Sequence, residues 1–326
     1  MTRKQAILHV TLFVVTLLST LVVGGPFYAA AIMTILTAHE MGHYLQCRRY
    51  GIPATLPFFI PMPLSPFGTM GAVIRMQGPL QERRALFDIA VAGPIAGLVF
   101  AIPAAVIGIR LSTVVNLSAM SQPTLPLGDS LLFSGLVHWI VGPMPEGYDL
   151  LLHPLAFAGW AGLFVTALNL LPIGQLDGGH ILYALLGSRR ALPVSFVFLG
   201  AFALLGIFFY RGWTLMILLI VLFGFRHPPF WEQGRALGRR RQLLGAAALL
   251  FFIVSFTPTP IITDAPEPRT PVESAPAGDD GVQVGVPPAD EWTVPVTLRA
   301  DSIPGSTRSG GPALAAPAAW DRPRAG

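Results

Sequence analysis

Apolar runs alternate with polar breaks along the first 256 residues, and the breaks set the elements. A run of about 20 apolar residues matches the thickness of a bilayer's hydrocarbon core. Residues 6–23 form the first such run, after Thr2-Arg3-Lys4. The basic start is also that of a signal peptide, but the run is long enough to span and no small-residue cleavage site follows. Gly24-Gly25-Pro26 predicts a tight turn. The second span covers about 27–46 and stops at Arg48-Arg49. Further spans are expected at about 85–109, 155–171, 192–210, 213–225 and 243–256, the last being short. Residues 111–153 form a mixed loop with an apolar patch at 131–141, placed at the membrane interface.

Residues 51–81 break the rhythm. Pro53, Pro57, Pro61, Pro63, Pro66 and Pro79 forbid a continuous helix. Yet 56–66 is nearly all apolar, and 69–76 reads as a short extended run. Apolar, non-helical backbone beside a membrane predicts a re-entrant β-hairpin or loop held against protein. The fold class is therefore an all-α polytopic membrane protein. It has about six or seven transmembrane helices and a membrane-associated re-entrant β-hairpin or loop after the second span.

Composition agrees with this class. Of 326 residues, 53% are hydrophobic and 12% charged, against about 25% charged in a soluble domain. The formal charge of +4 does not suggest nucleic acid, because the arginines fall at span ends rather than in a stripe. With the N-terminus in the cytosol, 14 span-flanking Lys and Arg lie on the cytosolic side and 2, Arg110 and Arg211, on the other. Cys47 is the one cysteine, so no internal disulfide forms, and it reads as packing.

Chemistry enters inside the second span, as His39-Glu40-Met41-Gly42-His43. On a helix, His39 and His43 point from one face. Two neutral imidazoles at that spacing can bind one zinc ion, and Glu40 can reach a water bound to it. Helix-face histidines can also simply hydrogen-bond. In lipid that bland reading weakens, because an ionised glutamate there needs a partner. A catalytic zinc needs a third protein ligand. The acids in or beside spans are Glu40, Asp88 and Asp177. Asp177 is the best candidate, since it follows a helix end broken by Asn169, Pro172 and Gly174. Asp88, at the start of its span, is the rival, and is equally readable as interfacial or as a partner of a ligand. His180 is a minor candidate, better placed to orient Asp177 or face solvent.

His39-Glu40-x-x-His43 early, with Asn169-x-x-Pro172-x-x-x-Leu176-Asp177-Gly178 late, resembles the site-2 protease family of intramembrane zinc metalloproteases. The proline-rich stretch, Phe67-Gly68-Thr69-Met70-Gly71-Ala72-Val73-Ile74 and Ala92-Gly93-Pro94 add to the likeness. It is most similar to the branch with the chloroplast EGY-type proteins and archaeal homologues, and it covers roughly 27–190. The resemblance implies one zinc per chain on His39, His43 and Asp177, with Glu40 as general base. Asn169 matches an asparagine near the active site that helps stabilise the oxyanion or hold substrate, and it can equally cap the broken helix. Residues 69–76 would offer an edge to an extended substrate, or serve as a plug. The 111–153 loop is too short for the PDZ domain many bacterial members carry, and the tail does not match the paired CBS domains of some archaeal members.

Four regions follow: a first span and turn (1–26), a zinc metalloprotease core (27–190), additional spans (191–256) and a Pro/Gly-rich disordered tail (257–326). The expected function is intramembrane cleavage of membrane-protein substrates. The alternative is a zinc-binding membrane regulator or transporter without proteolysis. Spans at 192–225 lack Asp and Glu, and His as well, which argues against a transport path. The expected partners are a transmembrane protein substrate and the bilayer. The expected location is a prokaryotic cytoplasmic membrane, with the site toward the cytosolic side.

Overall fold

The computed structural model describes residues 3–78, 82–116, 124–144, 147–224, 237–262 and 295–298. The first helix, α1 (Arg3–Arg49), is two arms joined at Gly25, whose φ of 75° and ψ of −178° are open only to glycine. Pro26 follows and lacks the N–H a continuous helix would need.

Contacts with a β-hairpin show that the arms run antiparallel. Strands β1 (Phe58–Pro61) and β2 (Thr69–Val73) pair antiparallel, with Phe58 opposite Val73 and Pro61 opposite Thr69. On the first arm, His9 Nδ1 donates to the Pro57 carbonyl at 3.0 Å, and Ser19 Oγ to the Gly68 carbonyl at 2.6 Å. On the second arm, the Tyr28 hydroxyl donates to the Phe67 carbonyl at 2.9 Å, and Glu40 lies against the Ile74 backbone. The hairpin's tip thus meets residues 19 and 28, and its open end meets 9 and 40. The prolines expected to forbid a helix here do so, and the chain pairs with itself instead. Pro79 lies outside the described residues.

Helices α2 (Arg83–Leu111) and α4 (Pro154–Asn169) pack with the second arm of α1 as the buried centre. Small residues allow the close approach, as expected where lipid supplies no hydrophobic drive. Cβ atoms added at Gly108 and Gly159 would overlap the backbones of Ala156 and Ala105. Trp160, Phe157 and Phe164 stack with Phe67, tying α4 to the hairpin tip.

Residues 111–153, expected as a mixed loop, are more ordered than that. They contain β3 (Thr113–Asn116), β4 (Leu125–Leu127), α3 (Leu131–Val141) and β5 (Tyr148–Leu151). The apolar patch at 131–141 is the helix α3, capped by Ser130, whose Oγ accepts from the Phe133 amide.

Three more helices follow α5 (Asp177–Leu186): α6 (Ser188–Phe208), α7 (Trp213–Leu219), continued as a π-helical turn Ile220–Gly224, and α8 (Arg239–Ser255). Helix α8 begins beside Asp88 of α2 and ends where Trp213 Nε1 donates to the Pro258 carbonyl at 2.7 Å. Among the described residues, α1, α2 and α6 are long and apolar enough to cross a membrane, and α3, α4 and residues 213–222 are shorter apolar helices.

The tail at 257–326, expected to be disordered, contributes one strand among the described residues. Val296–Leu298 forms β6, which lies between β5 and β4, antiparallel to the first and parallel to the second. Val296 and Thr297 are good strand formers, and they and Leu298 are buried between β5 and β4. Most of the other residues of 257–326 lie outside the described set.

Candidate metal centre

The second arm of α1 buries His39, Glu40 and His43 against α2. Gly42 makes this possible, since a Cβ there would overlap the Ala92 carbonyl. His43 Nδ1 donates to the Ile89 carbonyl at 2.8 Å. That bond fixes the ring and leaves the Nε2 lone pair for another partner.

The third group comes from the break between α4 and α5. Helix α4 ends at Asn169, and Gly174, at φ 55°, turns the chain so that α5 starts at Asp177. The turn is tight: a Cβ at Gly178 would overlap the Leu170 carbonyl. Ser195 Oγ donates to the Pro172 carbonyl at 3.0 Å, and Arg83 holds the far end of α5 through the Ala184 and Leu185 carbonyls.

Three donor atoms converge. His39 Nε2 and His43 Nε2 are 3.2 Å apart, and Asp177 Oδ2 lies 3.4 Å from the first and 3.2 Å from the second. Ligands about 2.0–2.1 Å from a tetrahedral ion stand about 3.3–3.4 Å from one another. The triangle therefore fits one ion of zinc's size with a position to spare. These residues are positioned to bind a metal ion.

Around the triangle is a cavity of about 220 Å³, bordered by β2 at Ala72 and Val73 and by Ile74 beyond it. Glu40 lines it and is only 6% exposed. Asn169 reaches the same place, with Nδ2 at 3.2 Å from His39 Nε2. His180 and Gln175 also border the cavity, outside the donor triangle.

Asp88, the rival ligand, is elsewhere. Its carboxylate takes both Arg241 Nε at 2.7 Å and Arg241 Nη2 at 2.8 Å, and accepts from the Tyr50 hydroxyl at 2.5 Å. It cannot also reach the triangle, because this three-way contact holds it toward α8. The bond to Asp88 lifts the Arg241 pKa above its ordinary value. Partial burial raises the Tyr50 phenol, and its bond to Asp88 adds to the rise.

The sequence did not point to Ile89, which acts through a backbone group that any residue carries, and it marked Ile74 only as the end of the Phe67–Ile74 stretch. Gly93 could have been found, as part of Ala92-Gly93-Pro94. A Cβ on it would overlap the His43 ring.

Comparison with known proteins bears on the same residues. The chain is 29% identical over 241 residues to a protein named probable zinc metalloprotease EGY2, chloroplastic, from Oryza sativa subsp. indica, covering 74% of this chain and 44% of that one. It is 30% identical over 244 residues to the probable zinc metalloprotease EGY1, chloroplastic, of Arabidopsis thaliana, covering 71% and 42%. A third relative, named probable zinc metalloprotease EGY3, chloroplastic, from Oryza sativa subsp. japonica, is 32% identical over 194 residues, covering 54% and 32%. The chain spans less than half the length of these relatives. Two helix-borne histidines, a late aspartate and the glutamate beside them all fall within residues 27–211, which match the family model of Peptidase family M50, and the chain belongs to that family.

Proposed function

We propose that the protein is an intramembrane zinc endopeptidase acting on peptide bonds in or near the transmembrane segments of other membrane proteins. The observation that carries this reading is the donor triangle with Glu40 beside it, buried in a cavity that a β-strand borders.

His39, His43 and Asp177 would hold one zinc ion. Bound there, zinc would supply a Lewis acid for the scissile carbonyl and acidify a water to a pKa of about 7. Glu40 takes a proton at its carboxylate and returns it to the leaving amine. The Ile89 carbonyl keeps His43 in the tautomer that offers Nε2. The Asn169 amide is within reach of the same space and would donate to the developing oxyanion. Strand β2 pairs with β1 along one edge, and its other edge would hold substrate backbone in extended form. A helical substrate must unwind first, since its peptide groups are bonded to one another.

The finer architecture is part of the proposal. Residues 27–190 form the catalytic core, 191–256 add further spans, and six or seven helices cross the bilayer with the hairpin re-entrant. The distribution of Arg and Lys supports an orientation with the N-terminus and the donor triangle toward the cytosol. A prokaryotic cytoplasmic membrane remains the proposed setting on the sequence alone, the relatives above being named as chloroplastic.

The test compares wild type with Glu40→Gln in detergent. Zinc is measured by mass spectrometry, and cleavage is followed on a panel of single-span peptides. About one zinc in both proteins, with cleavage by wild type alone, supports the reading. Zinc in both with cleavage in neither favours a zinc-binding regulator or transporter. No zinc in either removes the ligand assignment.

A further inference from the structure

A second concave site lies between α1, α2 and α8, and it shares no lining residue with the donor cavity. It measures about 490 Å³. Its walls include Leu45, Ile95 and Leu244, which are 60%, 44% and 40% exposed. Side chains of this kind on membrane helices face acyl chains. Three polar residues close one end: Gln46, Arg49 and Asp88.

Arg49 attracts Asp88, but Asp88 has closer partners. Asp88 is already matched by the fork of Arg241 and by the Tyr50 hydroxyl. Arg49 is exposed and makes no ion pair among the described residues. Arg48 stands beside it, turned to the Tyr44 hydroxyl at 3.3 Å. The polar end of the groove therefore carries net positive charge. Gln46 Oε1 is buried there with no hydrogen-bond partner. An orphaned buried acceptor calls for a donor. The groove also sits where α1 ends in Arg48-Arg49, the depth of a headgroup. Basic pockets between transmembrane helices at this depth suit anionic lipid headgroups.

We propose that this groove binds one anionic phospholipid of the bilayer. Arg49 takes the phosphate, Gln46 lies beside it, and an acyl chain runs along Leu45, Ile95 and Leu244. The occupant is a lipid rather than free phosphate, because most of the lining is apolar, Leu45, Val91, Ile95 and Leu244 among it.

The experiment is native mass spectrometry of the full chain in detergent, titrated with phosphatidylglycerol or phosphatidylcholine. Wild type is expected to retain one phosphatidylglycerol about fivefold more tightly than phosphatidylcholine, the factor one basic side chain contributes. Arg49→Gln should erase the preference, and Arg190→Gln, which removes an equal charge outside the groove, should keep it. Ile95→Trp fills the groove and should weaken both lipids. The proposal falls if Arg49→Gln keeps the preference, if Arg190→Gln loses it equally, or if Ile95→Trp binds as wild type does. It also falls if glycerol phosphate, which has no acyl chains, displaces the lipid at equal concentration.

Discussion

The His43 ring fills the space that a Cβ on Gly93 would need. Helix α2 therefore carries a glycine where it passes the donor triangle, and the next turn carries Gly97, 3.3 Å in the same sense from His39. Gly93→Ala is expected to displace His43 and weaken zinc binding by about 10–100-fold, as loss of a ligand's supporting contact does. Gly97→Ala should cost far less, since the His39 ring has only to give by tenths of an ångström. Zinc retention against a graded chelator would rank the two.

Asn169→Ala separates holding the metal from stabilising the transition state. Zinc content should stay at the wild-type level, and the cleavage rate should fall by about 10²–10³, the usual effect of removing one oxyanion donor. A loss of zinc with no separate fall in rate per zinc would instead make Asn169 a support for His39.

The joint between α2 and α8 should be measurable apart from the site. Arg241→Gln leaves Asp88 with one of its two partners and is expected to cost about 1–2 kcal/mol, given how far both groups meet solvent. Unfolding in mixed micelles would read it. A cycle with Asp88→Asn should recover most of that cost as coupling between the two positions.

Tyr50 adds a pH dependence to the same joint. Its folded pKa is raised by burial and by Asp88, so the folded state keeps the proton longer than the unfolded one. Stability relative to Tyr50→Phe should be flat below the ordinary phenol pKa of about 10 and fall as pH rises beyond it. An unfolding series across that range gives the sign.

Gly25→Ala should destabilise the chain by about 1–3 kcal/mol, because its backbone conformation is one that residues with a Cβ rarely take. Micellar unfolding again measures it. Gly24→Ala is a different case, being blocked by the Tyr28 ring rather than by its own backbone.

How far the sequence spoke for the site depends on the reach of each interaction. His39 and His43 were legible together because helix geometry alone puts them on one face. Asp177 was legible as an acid after a broken helix in an apolar setting. Asp88 had the same look and was a plausible rival, because nothing local tells that its partner is Arg241, 153 residues on. The turn at Gly25 was readable from Gly-Gly-Pro, and the hairpin from its prolines. Strand β6 was not, since three such residues in a tail rich in proline and glycine mean little until β4 and β5 stand on either side. The backbone support from Ile89 leaves no mark in the sequence at all.

The break at Gly25 makes the β-hairpin a wedge between two beams. One beam, residues 3–24, contributes nothing to the donor triangle, yet it grips the wedge at Pro57 and Gly68. The other bears the histidines and Glu40. The second beam bonds the wedge as well, through the Tyr28 hydroxyl at Phe67, so β2 is held beside Glu40 from both sides. Under the proposed function, the strand that would receive substrate is steadied in part by a stretch of chain that does no chemistry.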